Sequence, residues 1–345
     1  MARILVIRFS AIGDVAMVVP VISSLAEQYP QHEFVVLSQQ FLHPLFGQTP
    51  PNVIFYGVKP TDYKRMKDLT RLYTELQSLR FDYVADLHNV LRSKYLRLRF
   101  ALSGACVRHI KKGRTGKWRR VRRWFKVRKP LKSSFERYAQ VFSALGFPVR
   151  LNFTSIYGTA KAPFAGIERF AGVKEKGVRW IGIAPFAKHK GKIYPLELQE
   201  KVIAHFAGRP QYKIFLFGGG KQEIAIFNSW IRKYEGVVSA AGRLDLQTEL
   251  ALISHLDVML AMDSANMHFA SIVGTPTISI WGATHPYTGF MGWEQSISYT
   301  LQVEMDCRPC SVFGQKPCRR KNYACLYRIT PEEIIGKIET VLHAP

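Results

Sequence analysis

Asp257-Val258-Met259-Leu260-Ala261-Met262-Asp263-Ser264-Ala265-Asn266-Met267-His268 reads as a buried strand that runs into a polar turn and opens a helix. The apolar run 257–261 has strand length, and Asp263 and Ser264 are residue types that start helices. About 250 residues earlier the same grammar occurs: Arg3-Ile4-Leu5-Val6-Ile7, then Ser10-Ala11-Ile12-Gly13-Asp14. Ligands of open α/β sheets collect at the carboxyl ends of strands, beside helix N-termini. Two such ends so far apart predict two sheets facing one cleft.

Working outward, strands and helices alternate. Residues 33–37 and 83–87 read as strands, with helices over 15–28, 62–79, 91–102 and 133–145. The alternation restarts with strands at 178–184, 213–217, 237–238, 257–261 and 277–281. Helices are expected near 196–206, 222–234, 246–255 and 265–273. Thr330 and Pro331 cap a last helix to about 342. The pattern predicts an α/β fold of two doubly wound parallel sheets. The expected division is an N-terminal domain over 1–160, a linker over 161–177 and a second domain over 178–329. The helix over 330–345 is expected to return onto the first domain.

Lys plus Arg number 49 against 25 Asp plus Glu, a net charge of +24. That implies an anionic partner: nucleic acid, a membrane surface or a phosphorylated substrate. The longest near-apolar stretch, 15–25, is too short to span a bilayer and contains Pro20, Ser23 and Ser24. Ser10 and Asp14 interrupt the first apolar run too early for a signal peptide. A cytoplasmic protein with peripheral membrane contact is expected.

The charge concentrates in an arm over 108–129, which holds twelve Lys/Arg and no acid, with Trp118, Trp124 and Phe125 interleaved. A solvated charge run needs no aromatics, whereas aromatics among cations suit an anionic lipid or glycolipid surface. Arg119, Arg120, Arg122 and Arg123 are the expected contacts. A plain solvated loop and a nucleic-acid contact are the alternatives; no specific nucleic acid is expected.

Cys106 stands alone and reads as structural. Cys307, Cys310, Cys318 and Cys325 fall within twenty residues. Two readings stay open for them: a structural zinc site, started by C-x2-C, or thiols kept reduced or redox-labile.

Several polar residues sit at strand ends. Asp14 follows Gly13 in the first strand-to-helix loop and reads as a helix cap or a catalytic base. Lys192, in Lys192-Ile193-Tyr194-Pro195, can reach a phosphate as a point charge. Phe217-Gly218-Gly219-Gly220-Lys221 lacks the P-loop spacing, but Glu223 after it could accept from a ribose hydroxyl or cap its helix. Asp263, Ser264 and His268 suit phosphate at a helix start. Thr284, in the turn after 277–281, offers a hydroxyl to the same ligand.

The set Ser10-x-x-Gly13-Asp14, Lys192-x-Tyr194-Pro195, Gly242, Asp263-Ser264-x-x-Met267-His268-x-Ala270, Gly274-x-Pro276 and Gly282-x-Thr284-x-Pro286 resembles glycosyltransferase family 9, the ADP-heptose:lipopolysaccharide heptosyltransferases. The resemblance covers most of the chain in order. It implies a GT-B architecture, two Rossmann-like domains with an interdomain cleft. It also implies metal-independent, inverting transfer of a heptose or related sugar from an ADP-sugar donor to an anionic lipopolysaccharide inner-core acceptor. Asp14 matches the family's base and Lys192 its phosphate-binding lysine. Asp263, Ser264 and His268 match its donor-binding residues, and Glu223 most nearly matches its acid near the nucleotide. Ser10 falls on the acceptor side. Ala265 and His285 depart from the glycine and aspartate common there, and the arm is more basic than the family generally. The rival from another class is a non-catalytic nucleic-acid-binding protein using the arm. A nicotinamide-dependent oxidoreductase is disfavoured by the missing G-x-G-x-x-G.

Overall fold

The computed structural model describes residues 1–121 and 129–343. Arg122 and Arg123, and the side chain of Arg120, lie outside the described residues. In chain order the elements are β1 (Arg3–Ile7), α1 (Ile12–Ala16), α2 (Val18–Gln28), β2 (Glu33–Gln39), β3 (Val53–Val58), α3 (Met66–Gln77), β4 (Tyr83–Asp86), α4 (Leu91–Leu102), β5 (Cys106–His109), α5 (Arg114–Val121) and α6 (Ser134–Ser143). The second half continues with α7 (Glu168–Ala171), β6 (Arg179–Ala184), α8 (Leu196–Phe206), β7 (Tyr212–Leu216), α9 (Lys221–Lys233), β8 (Val237–Ser239), α10 (Leu246–Ser254), β9 (Val258–Met262), α11 (Ala265–Ile272), β10 (Thr277–Ile280), β11 (Thr300–Leu301), α12 (Ala324–Tyr327) and α13 (Pro331–Leu342).

The chain divides into two units, residues 1–112 with 132–158, and 113–131 with 159–345. The first holds a parallel sheet ordered β3-β2-β1-β4-β5. Its centre, β1, is buried from Ile4 to Ile7, so an unbroken apolar run forms it. Leu5, Ile7, Val35, Leu37, Leu72, Leu76, Leu96 and Phe100 belong to one core cluster. Edge strands β3 and β5 were not expected from the sequence. Half-exposed β3 lacks a continuous apolar signal, and β5 carries the exposed Arg108 and His109 inside what reads as the arm.

The second unit holds a parallel sheet ordered β11-β10-β9-β6-β7-β8. Every residue of central β9 is buried. Segments outside the expected 178–329 also belong to this unit. Residues 113–121 and 129–131 cluster with this unit: Lys117 is buried with its Nζ 3.8 Å from the Phe290 ring centre, and Leu131 N–H donates to Tyr287 O. The expected linker is structured. It contains α7, and Lys174 pairs with Asp257 at 2.7 Å and donates to His255 O. Helix α13 packs on α8 and β9, and its Ile334, Ile338, Val341 and Leu342 enter this unit's core. Its amphipathic stripe needs an apolar face, and its own unit supplies one.

Candidate functional site

In each sheet the strand order reverses next to a central pair: β1 and β4 in the first, β6 and β9 in the second. Loops leaving such a pair diverge to opposite faces and open a crevice at their carboxyl ends. Ser10 and Asp14 follow β1, Lys192 follows β6, and Asp263, Ser264 and His268 follow β9, whereas Glu223 follows β7 and Thr284 follows β10; each unit carries its own constellation.

In the first unit, Asp14 lies in the first turn of α1 and its carboxylate accepts from the Ala11 N–H at 3.3 Å, so the capping role is present. A second role comes with it. Arg8, 6% exposed at the end of β1, places Nη2 2.7 Å from Asp14 Oδ2 and donates from Nη1 to Leu87 O at 2.6 Å. Burial opposes the guanidinium charge, but neighbouring Tyr138, Asp14 and Asp86 outweigh it and push its pKa above the ordinary arginine value. Tyr138 closes the unit from the other side, its OH donating to Asp14 O at 3.2 Å. Arg8 was not singled out from the sequence, because its role depends on contacts with β4 and α6.

The β4 end adds residues that the sequence reading passed over. Fully buried Asp86 accepts from the N–H groups of His88 and Asn89, from Ser93 Oγ, and from Arg97 Nη1 at 3.2 Å. That fixes the turn holding His88, whose Nε2 lies 3.5 Å from Ser10 Oγ. Burial, with Arg8 and Lys112 nearby, drives the His88 pKa down to about 3, so the ring is neutral across the physiological range. Asp86-Leu87-His88-Asn89 ends an apolar run just as Asp263-Ser264 does, so the signal was present.

In the second unit, Lys192 follows β6 and Asp263 follows β9. Lys192 Nζ lies 2.9 Å from Asp263 Oδ2, and both side chains are largely buried. Thr284, wholly buried after β10, donates from Oγ1 to the same oxygen at 2.7 Å. Ser264 occupies the N-cap of α11 in extended geometry but does not cap it; its Oγ is buried and has no hydrogen-bond partner among the described residues. His268 is buried one turn into the same helix. A lysine, an uncommitted buried hydroxyl and the start of an eight-residue helix thus converge where an anionic group is favoured.

The loop carrying Thr284 is held by Arg308, which also escaped the sequence reading. This buried guanidinium donates from Nε to Gly282 O, from Nη1 to Val303 O, and from Nη2 to Trp281 O, Thr284 O and Gln302 Oε1. A Cβ on Gly282 would lie 2.6 Å from Gly191 O, so glycine permits the two loops to touch. Gly314, at φ +79°, leaves room for the Lys192 stem, since a Cβ there would lie 2.6 Å from its Cγ.

Glu223 follows β7 at the start of α9 and accepts from the Gly219 N–H at 2.7 Å. Burial raises its pKa against that bond. Its partner is the glycine loop ahead of the helix. In the arm, Trp118 and Arg119 are exposed.

All five cysteines are free thiols. Cys307, Cys310, Cys318 and Cys325 line one small cavity with Arg308 and Asn322. Burial pushes the Cys325 thiol up to about 11. Among the described residues no group of three or more His, Cys, Asp or Glu side chains is arranged to hold a metal ion, so the zinc reading finds no ligand set here. Among them also, no helix is long and apolar enough to cross a membrane.

Residues 69–323 match the model of glycosyltransferase family 9 (heptosyltransferase). Lipooligosaccharide heptosyltransferase 2 of Campylobacter jejuni is 24% identical over 334 residues, 95% of each chain. The ADP-heptose LPS heptosyltransferase II structure from E. coli superposes with a TM-score of 0.72 at 18% identity, covering 99% of this chain and 98% of that one. E. coli heptosyltransferase WaaC with ADP gives a TM-score of 0.68 at 14% identity, covering 98% and 99%. The likeness to these structures establishes a GT-B-type fold of two parallel-sheet units. Given a family match across most of its length, the chain belongs to glycosyltransferase family 9, the heptosyltransferases.

Proposed function

We propose that the protein is an inverting, metal-independent glycosyltransferase that moves a heptose from ADP-heptose to an inner-core lipopolysaccharide acceptor at the cytoplasmic face of a membrane. The observation that carries this reading is the Lys192–Asp263–Thr284 cluster beside the uncommitted Ser264 hydroxyl at the start of α11. A diphosphate suits it: Lys192 supplies a point charge, the helix start supplies backbone N–H groups, and Ser264 supplies an unused donor. The names of similar proteins, which mention ADP-heptose, ADP and lipopolysaccharide, support the donor and acceptor classes.

In this reading the Asp14 carboxylate takes the proton from an acceptor hydroxyl as that oxygen attacks the anomeric carbon of the donor. The anomeric carbon–oxygen bond to ADP breaks on the opposite face, and its electron pair leaves with the diphosphate. Lys192, His268 and the start of α11 hold the developing charge, which is the work a divalent cation does in other transferases. Arg8 fixes the carboxylate in place. Asp263 and Thr284 keep Lys192 aimed until the diphosphate arrives. Glu223 faces the ribose side, releasing the glycine loop on donor binding. Arg119, with Arg120, Arg122 and Arg123, meets the phosphates of the acceptor or its membrane.

Calorimetry against ADP-, UDP- and GDP-sugars tests the donor class. Tight binding of the ADP form alone agrees with the reading, and equal affinity for all three contradicts it. The anomeric configuration of the product by NMR tests inversion. Full activity after exhaustive chelation tests metal independence.

A further inference from the structure

Helix α4 carries a feature that neither catalysis nor the arm uses. Its inner face buries Ser93, Leu96 and Phe100 against the first sheet and α3. On the outside, Leu91 is 82% exposed, Leu98 59% and Leu102 77%. At 100° per residue these three positions fall within about 40° of one line along the helix. Single exposed leucines are ordinary, but three in register form a stripe that calls for an apolar partner.

The surroundings of the stripe identify the partner. Arg92 and Lys94 stand exposed on either side of it. Arg92 lies over the Tyr63 ring at 5.3 Å and Arg99 over Tyr73 at 4.5 Å. On the adjacent α3, Glu75 pairs with Arg71, so that helix adds little net charge. Between Asp86 and Glu136 the sequence contains no acid and seventeen Lys/Arg. A second copy of this chain would bring like charges together across the face, which disfavours it. A nucleic-acid backbone is met by cations and polar groups and gains little from a stripe of three leucines. Apolar residues rimmed by cations suit a layer of acyl chains under anionic headgroups.

We propose that the outward face of α4, with Leu91, Leu98 and Leu102 flanked by Arg92 and Lys94, docks the first unit on an anionic lipid surface. The inference rests on the reading of the acceptor as lipid-anchored. It adds where the anchor enters: α4 starts directly after the His88 turn, whose ring sits beside Ser10, so the lipid plane meets the unit where the acceptor hydroxyl is needed. Docking on α4 is independent of the arm residues at 119–123.

The test is flotation with phosphatidylcholine vesicles containing roughly a third phosphatidylglycerol, against phosphatidylcholine alone. The protein is expected to float with the anionic vesicles. Combined Leu91→Ser, Leu98→Ser and Leu102→Ser should lower the bound fraction at least about tenfold, while transfer to a delipidated, soluble acceptor stays at the parental rate. A Leu98→Trp variant supplies a readout that does not depend on loss of binding: its added fluorescence should shift to the blue with anionic vesicles. Parental flotation by the triple variant, or an unshifted tryptophan, overturns the proposal. So does a change from dimer to monomer with flotation intact, which gives the face to self-association. Failure of the parent to use the soluble acceptor counts against the transferase reading and leaves the flotation result standing.

Discussion

Arg8 Nη2 stands 2.7 Å from Asp14 Oδ2, and the arginine is far more buried than the carboxylate it holds. In the proposed mechanism the buried partner sets the geometry and the more exposed one meets the acceptor hydroxyl. Arg8→Lys keeps the charge but gives up the second bond, to Leu87 O. We expect kcat to fall by about 10–100-fold with little change in donor KM. Steady-state kinetics checks this; a rise in donor KM at constant kcat contradicts it.

Lys192 is held by Asp263 and, in the proposed reaction, changes partner when a diphosphate binds. Lys192→Ala should weaken ADP about 10–100-fold, the worth of a charge-assisted contact. Asp14→Asn should leave that affinity unchanged. Calorimetry with ADP on both variants measures the difference, and equal losses contradict the assignment.

Arg308 satisfies five acceptors with one guanidinium, four of them main-chain carbonyls. A lysine has three donors and no fork, so Arg308→Lys leaves buried carbonyls unpaired. The expected cost is about 2–4 kcal/mol of stability in denaturant unfolding, together with weaker ADP binding through displacement of Thr284. Unchanged stability would mean that the loop holds itself.

Burial pushes the Glu249 carboxyl, on α10, up to about 7. In the unfolded chain a glutamate titrates near 4.3, so between those values the native state binds more protons than the unfolded one. Stability therefore falls as pH rises from about 4 to 7, and the penalty is complete above that. Glu249→Gln removes it and should stabilise the protein by about 1–3 kcal/mol at pH 8 and by little at pH 4. Thermal unfolding at the two pH values measures the sign.

Much of this was readable in the sequence, for identifiable reasons. Central strands β1, β6 and β9 announce themselves because both faces are buried, which demands unbroken apolar runs. Asp14, Lys192, Asp263, Ser264, His268 and Thr284 were legible because each follows such a run at a strand end. Edge strands β3 and β5 escaped because exposure mixes polar residues into them. Arg8, His88 and Arg308 escaped because their roles exist only through distant contacts: Leu87 for Arg8, Ser10 for His88, the Gly282 loop for Arg308. Placement of the 113–121 segment with the second unit turns on the Lys117–Phe290 contact, which local pattern does not contain.

The most direct measurement is heptose transfer from ADP-heptose to a soluble inner-core acceptor, followed by mass spectrometry, for the parent protein and Asp14→Asn. The account predicts a product heavier by one heptose from the parent, a rate about 10²–10⁴-fold lower for the variant, and equal ADP affinity for both. No transfer by the parent, or parental turnover by Asp14→Asn, contradicts it.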